Sequence, residues 1–271
     1  MAHQLGPDSD RQLILVPEEG RKGWLCVTGA FFCLFSTFGF LNAIGVFQTT
    51  YEETLLSAYT SSEIAWIFSV QLSLMWAPGS LFGHLVDTYG PAPVLLPCSV
   101  LCVFSLCMTS LSTSYYQIFL AQGLGFGLGA GGIFTTSLVC VGHWFVRRRG
   151  LATGIAISGS SLGGVIFPIF FNIVKKDVGF INTIRYTALF IGILLATSCF
   201  LVTSRLPRKK WDSGSSWFDV SVFKDKTFSL YTLGAFFVML VSLQLSGSHN
   251  WRLTISKVGP LGAVRLSTSD G

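Results

Sequence analysis

The stretch Gly123–Gly164 reads GLGFGLGAGGIFTTSLVCVGHWFVRRRGLATGIAISGSSLGG, two glycine-rich apolar runs joined by three consecutive arginines. It holds no acidic residue, and its only basic side chains besides His143 are Arg147, Arg148 and Arg149. Built as helix, the first flank is long enough to cross a hydrocarbon core about 30 Å thick, and the second opens an apolar run that continues to Val174 and is long enough as well. Three guanidinium groups are too costly to leave in that core, so they place the joint at a membrane surface. The stretch predicts a hairpin of two membrane-spanning helices.

The rest of the chain agrees. Hydrophobic residues make up 51% and charged residues 11%, where a soluble domain carries about 25% charged residues; mean hydropathy is +0.60. From Pro93 to Val146 there is no Asp, Glu, Lys or Arg. Six spans are expected, Trp24–Phe47, Ile64–Val86, Pro93–Thr113, Gln117–Val141, Leu151–Val174 and Tyr186–Ser204, with a weaker seventh over Phe228–Ser246. The reading is an all-α polytopic membrane protein.

Basic residues set the expected orientation. Twelve of them, including Arg21, Lys22, Arg147–Arg149 and the cluster Arg205–Lys226, fall on one side, against Lys175, Lys176 and Arg185 on the other. This predicts a cytoplasmic N-terminus in a plasma or organellar membrane. The net charge of +5 is accounted for by these loops, which lie near anionic lipid and call for no nucleic-acid partner. Residues 1–22 lack an apolar h-region, so no cleavable signal peptide is expected. Seven cysteines, an odd number without a CxxC pair, predict buried free thiols rather than a disulfide framework or a zinc site. No cofactor or metal is expected.

The chain divides into a cytoplasmic tail (1–22), a six-helix bundle (23–204), a polar basic linker (205–227), the seventh helix (228–246) and a tail without an apolar run of spanning length (247–271). Six helices before a long loop suggest one half of a twelve-helix transporter. On this reading the chain stops one helix into a second half.

Glycine spacing predicts close helix contacts. Gly123, Gly127 and Gly131 recur every four residues, and Gly125 with Gly129 makes a second row. Span 5 carries Gly150, Gly154, Gly159 and Gly163. Small residues at this spacing let backbones approach in a bilayer, either as static packing or as a sliding interface. Gly127–Gly132 also satisfies GxGxxG. No strand precedes it and no acid follows about 20 residues on, so it is not a dinucleotide site.

The segment HWFVRRRGLATGIAISGSSLGGVIFP (His143–Pro168) resembles the loop and fifth helix of the monocarboxylate-transporter-like branch of the major facilitator superfamily. GAFFCLFSTFGFLNAIGVFQTTYEETL, SSEIAWIFSVQ and WFDVSVFKDKTFSLYTLGAFFV are similar to the first helix, second helix and approach to helix seven of its fungal members. The resemblance runs from about Gly23 to about Val241. It implies the N-terminal six-helix half of a major-facilitator fold plus one helix of the second half. It also implies secondary active transport of a small organic solute, a monocarboxylate or related metabolite, by alternating access.

Two departures qualify this. Between helices 2 and 3 the family carries Gly, Leu and Asp followed by basic residues. Gly83, Leu85, Asp87 and Gly90 match, but Thr88, Pro91 and Ala92 stand at the basic positions. Asp87 is therefore expected to find its cation in Arg147, Arg148 or Arg149, forming a cytoplasmic gate; the alternative is a solvated carboxylate. Animal monocarboxylate carriers place a lysine in helix 1 where this chain has Asn42. Asparagine can hydrogen-bond a solute but supplies no charge. That weakens lactate–proton symport and leaves proton coupling open.

The expected substrate cavity is lined by Asn42, Gln71, Gln122, Ser158 and Ser161, with interhelical bonding as the alternative for the amides. The expected packing glycines are Gly123, Gly127, Gly131, Gly154, Gly159 and Gly163. No nucleophile–base pair or intramembrane carboxylate pair is present, so an enzyme is not expected. Two other readings stay open: a shortened form that transports nothing, and a half-transporter acting as a homodimer.

Overall fold

Six helices long and apolar enough to cross a membrane follow one another from Arg21 to Leu201. They are α1 (Arg21–Glu52), α2 (Ser61–Tyr89), α3 (Ala92–Leu111), α4 (Tyr115–Trp144), α5 (Arg149–Val178) and α6 (Phe180–Leu201). Each overlaps one of the six expected spans, with α3 ending at Leu111 instead of Thr113 and α6 at Leu201 instead of Ser204. The structure, a computed structural model, describes residues 20–204 together with Leu230, Leu233 and Gly234. The chain divides into two units, residues 1–211 and 212–271, and all six helices belong to the first. Residues 1–19, the expected linker 205–227, the tail 247–271 and all but those three positions of the expected seventh span lie outside the described residues.

Local chemistry explains the ends. α2 starts at a capping box in which Thr60 accepts from the Glu63 backbone N–H and the Glu63 carboxylate accepts from the Thr60 backbone N–H, satisfying two otherwise orphaned donors. α5 and α6 are joined by Gly179 alone, at φ 80° and ψ 168°, a backbone conformation open essentially only to glycine. The loop expected between spans 5 and 6 thus shrinks to one residue. α6 begins at Phe180 instead of Tyr186, and Arg185 stands within the span.

Three helices are interrupted. α1 breaks at Ala43 and resumes over Ile44–Glu53, carrying helix beyond the expected end at Phe47. α2 breaks at Ala77–Pro78, where proline has no N–H to continue the ladder. α4 widens into a π-helical stretch over Phe119–Phe126 before resuming at Gly127. α5 runs unbroken past Pro168.

The glycine rows interlock with backbone, not side chains. A Cβ at Gly123 would stand 3.2 Å from the Ile67 carbonyl oxygen, one at Gly127 2.8 Å from that of Gln71, and one at Gly131 2.7 Å from that of Met75. Both series step by four and rise together, so α4 lies parallel to α2 at close approach. The second row meets α3: Gly129 faces Cys102 and Cys98, and Gly125 faces Ser105. On α5, Gly159 lies against the Phe31 carbonyl oxygen and Gly163 against Gly39 and Phe35 of α1. Gly150 and Gly154 are the exceptions on α5, with nothing within 4 Å of a Cβ at either. Gly154 is nine residues from Gly163, half a turn out of phase at 100° per residue, and so lies on the opposite, exposed side of α5.

α1 packs on α5, α6 and α4, α4 on α2 and α3, and α3 on α6. Rings fill the space between: Phe40 contacts Phe47, Phe126 and Phe167. All seven cysteines are free; Cys107 is exposed, contrary to its expected burial. Trp24 and Trp66 are exposed near span ends, and the Trp144 indole donates to the Thr203 carbonyl at 2.7 Å.

Candidate functional site

The five residues expected to line a cavity separate into two groups. Asn42, Ser158 and Ser161 are exposed along α1 and α5. The Asn42 amide donates to the Ser160 carbonyl at 3.5 Å, and a Cβ at Gly164 would stand 2.8 Å from that same amide nitrogen. Two backbone irregularities meet here. Asn42 immediately precedes the break in α1, and Pro168 has no N–H to offer the Gly164 carbonyl. Asn42 therefore bridges the two helices at a level where both have weakened internal bonding. Ser158 donates to the Ile155 carbonyl of its own helix at 2.7 Å.

Gln71 and Gln122 are wholly buried. The cause is the glycine row: Gly127 lets the α2 backbone at Gln71 come against α4, and Gln122 sits beside Gly123 in the π-helical stretch. The Tyr51 hydroxyl donates to the Gln122 Oε1 at 2.5 Å. Among the described residues, both polar atoms of the Gln71 amide, the Gln122 Nε2 and the Ser36 hydroxyl have no hydrogen-bond partner. A buried polar group left unpaired costs about 1–3 kcal/mol, so the α2–α4 seam holds polar groups that packing alone does not satisfy. π-helical turns of this kind are frequent at functional sites because they re-aim side chains.

Tyr51 is not among the expected residues. It lies past the expected end of span 1, and only continuation of α1 beyond Ala43 brings it inside.

At the other end of the bundle, Asp87 lies 3.6 Å from His143 Nε2. Half of the Asp87 side chain is exposed, against 15% for His143. His143 Nδ1 lies 3.0 Å from the Ser204 hydroxyl, and the Arg149 guanidinium covers Gly142, 3.2 Å from where a Cβ would stand. Arg147 and Arg148 are exposed. Asp87 thus stands beside His143, one turn before the arginines, in a contact that is ionic only when the imidazole is protonated. The available signal is position: His143 is the one histidine in the run from Pro93 to Val146 that lacks Asp, Glu, Lys and Arg. The group joins the ends of α2, α4 and α6 to the start of α5.

A family model described as Major Facilitator Superfamily matches residues 26–264, past the Val241 limit of the resemblance seen in the sequence. The chain is 44% identical over 191 residues to the MFS-type transporter hasB of Aspergillus fumigatus, covering 70% of this chain and 42% of that protein. It is 41% identical over 224 residues to the MFS-type transporter pytF of Aspergillus terreus, covering 82% of this chain and 75% of the relative. With the fujikurins efflux protein of Gibberella fujikuroi it shares 33% identity over 277 residues, 99% of this chain and 57% of that protein. The chain spans about half the length of most of the curated relatives it matches. Six apolar spans, glycine-mediated contacts between them and a match over nearly the whole sequence lead to one conclusion: the chain belongs to the Major Facilitator Superfamily.

Proposed function

We propose that this chain forms one wall of the pathway of a secondary active transporter that moves a small organic metabolite by alternating access. The observation that carries the reading is the exposure of Asn42, Ser158 and Ser161 together on the α1–α5 face. Polar groups within a membrane span face a water-filled cavity or another protein surface, because lipid cannot satisfy them. Asn42 and the serines offer hydrogen bonds without charge. They suit a neutral or weakly acidic solute better than a fully ionised monocarboxylate. Relatives named as fujikurins and agnestins efflux proteins support outward movement of such a compound.

Gln71 and Gln122 form an inner polar reserve in this scheme. A shift along the α2–α4 seam would exchange their unpaired state for bonds to solute or water, so they favour one of two arrangements. The group Asp87, His143, Arg149 and Ser204 acts as the gate at the end bearing the arginines. That end faces the cytoplasm if the basic residues set the orientation. The exposed face also fits a second copy of this bundle, giving a homodimer with the cavity between copies.

Proteoliposomes containing the chain, loaded with a panel of neutral metabolites and organic acids under an imposed pH gradient, provide the test. Saturable flux that Asn42→Ala lowers at least about tenfold, the worth of one lost bond to a solute, is the expected result. Absence of saturable flux across the panel overturns the proposal for this chain. Cross-linking through a cysteine introduced at Ser161 tests the homodimer.

A further inference from the structure

We propose that the cavity between α3 and α4 binds a neutral organic molecule dissolved in the membrane, an apolar ring system carrying one oxygen function, with that oxygen hydrogen-bonded to Ser105. The cavity encloses about 430 Å³. α3 supplies Phe104, Ser105 and Met108, and the facing wall is Leu120, Ala121 and Gly125 of the π-helical stretch of α4. The α1–α5 face takes no part in it, so the site is separate from the pathway proposed above.

Ser105 is the residue that calls for a ligand. It is 3% exposed and lines the cavity, its oxygen lying over Gly125, where a Cβ would collide with it. Ser99 and Ser110 donate to carbonyls of the same helix at 2.7 Å, the usual resort of serine in a membrane span. Among the described residues, the Ser105 hydroxyl has no hydrogen-bond partner. A hydroxyl left unpaired in hydrocarbon is costly, and a ligand oxygen at this point satisfies it.

Depth decides what that ligand is. α3 has 20 residues and so just spans a core about 30 Å thick, which sets Leu111 at the boundary. Ser105 stands six residues inside, about 9 Å below that level. Phospholipid head groups, ester carbonyls and sterol hydroxyls stay near the boundary, and acyl chains offer no hydrogen bond. Bilayer lipid therefore leaves Ser105 unsatisfied. No Asp, Glu, Lys or Arg occurs between Pro93 and Val146, so the cavity holds no counter-ion and disfavours a charged ligand. Phe104, Leu111 and Leu120 are exposed, which opens the cavity sideways to lipid. From Ser105 to Ser112 at the mouth is seven residues, about 10 Å. That is room for two fused rings, with Phe104 and Met108 to pack against them.

Equilibrium binding to the purified 271-residue chain in phosphatidylcholine nanodiscs tests this, with empty nanodiscs to subtract partition into lipid. The probes are 2-naphthol, naphthalene and 2-naphthoate at pH 7, which share one ring system and differ in oxygen and charge. The wild type should bind one 2-naphthol saturably and about tenfold more tightly than naphthalene, the scale of one hydrogen bond, with 2-naphthoate weaker than 2-naphthol. Ser105→Ala should remove the preference for 2-naphthol over naphthalene, and Ser105→Thr should keep part of it. Ala121→Leu, which narrows the cavity from the α4 side, should weaken both. The readout is binding alone, so it stands or falls apart from transport by this chain. Equal binding of 2-naphthol and naphthalene by the wild type, an unchanged preference in Ser105→Ala, undiminished binding in Ala121→Leu, or tighter binding of 2-naphthoate would each overturn the proposal.

Discussion

α4 and α5 carry similar glycine-rich sequence on either side of the same three arginines, yet they occupy opposite kinds of place. On α4 the buried residues include Gly127, Gly129, Ala130, Gly131, Gly132 and Ile133 in near-continuous succession, because α2 approaches one face and α3 another. On α5 burial is confined to Ala152, Ala156, Gly159, Gly163, Phe167 and Phe171, a single stripe against α1. Glycine spacing therefore marks where a backbone can be approached, but not from how many sides. The number of neighbours decides whether polar residues on the same helix are sealed, like Gln122, or left on an open face, like Ser158 and Ser161.

The largest effect should come from breaking the sealed side. Gly127→Leu places side-chain atoms against the Gln71 backbone, which has no flexible end to move aside. Overpacking costs about 1–3 kcal/mol and occasionally more, so the variant should lose most of its folded yield or melt several degrees lower in detergent. Gly154→Leu, on the open side, should leave melting unchanged.

Smaller and opposite shifts should come from the buried amides. Gln71→Leu removes two unpaired polar atoms at similar volume and should raise stability by about 1 kcal/mol while reducing transport. Tyr51→Phe takes from the Gln122 Oε1 its one donor among the described residues and should lower stability by about 1 kcal/mol. Matched melting curves of the two variants check the sign. Asp87→Asn should change stability least, by about 0–1 kcal/mol, since half of that carboxylate is exposed. Its effect should show in the inward/outward balance instead, and unchanged accessibility labelling would remove the gate from the account.

The sequence made the helices legible because composition alone separates membrane spans from loops: the uncharged run from Pro93 to Val146 had no soluble alternative. It made the contacts of Gly127 with α2 and Gly163 with α1 legible only as spacing, since phase depends on which helix comes alongside. Gly154 shows the limit, being glycine for no contact that these helices make. The break at Ala43 and the π-helical turn around Gln122 leave no pattern in a hydrophobic run. They nonetheless decide which polar side chains are inside, Tyr51 among them. Asp87 was visible as a charge at a span end, whereas its pairing with His143 depended on how α2 and α4 align.

The central claim is that the α1–α5 face of this bundle looks into water while its outer surface looks into lipid. Cysteine labelling in intact membranes tests it most directly, with single cysteines placed in a cysteine-free background at Ser161, at buried Gln71 and at Leu189 on the exposed surface of α6. A charged, membrane-impermeant thiol reagent should modify Ser161→Cys rapidly and leave Gln71→Cys and Leu189→Cys unmodified. Labelling of Ser161→Cys no faster than Leu189→Cys would contradict the account.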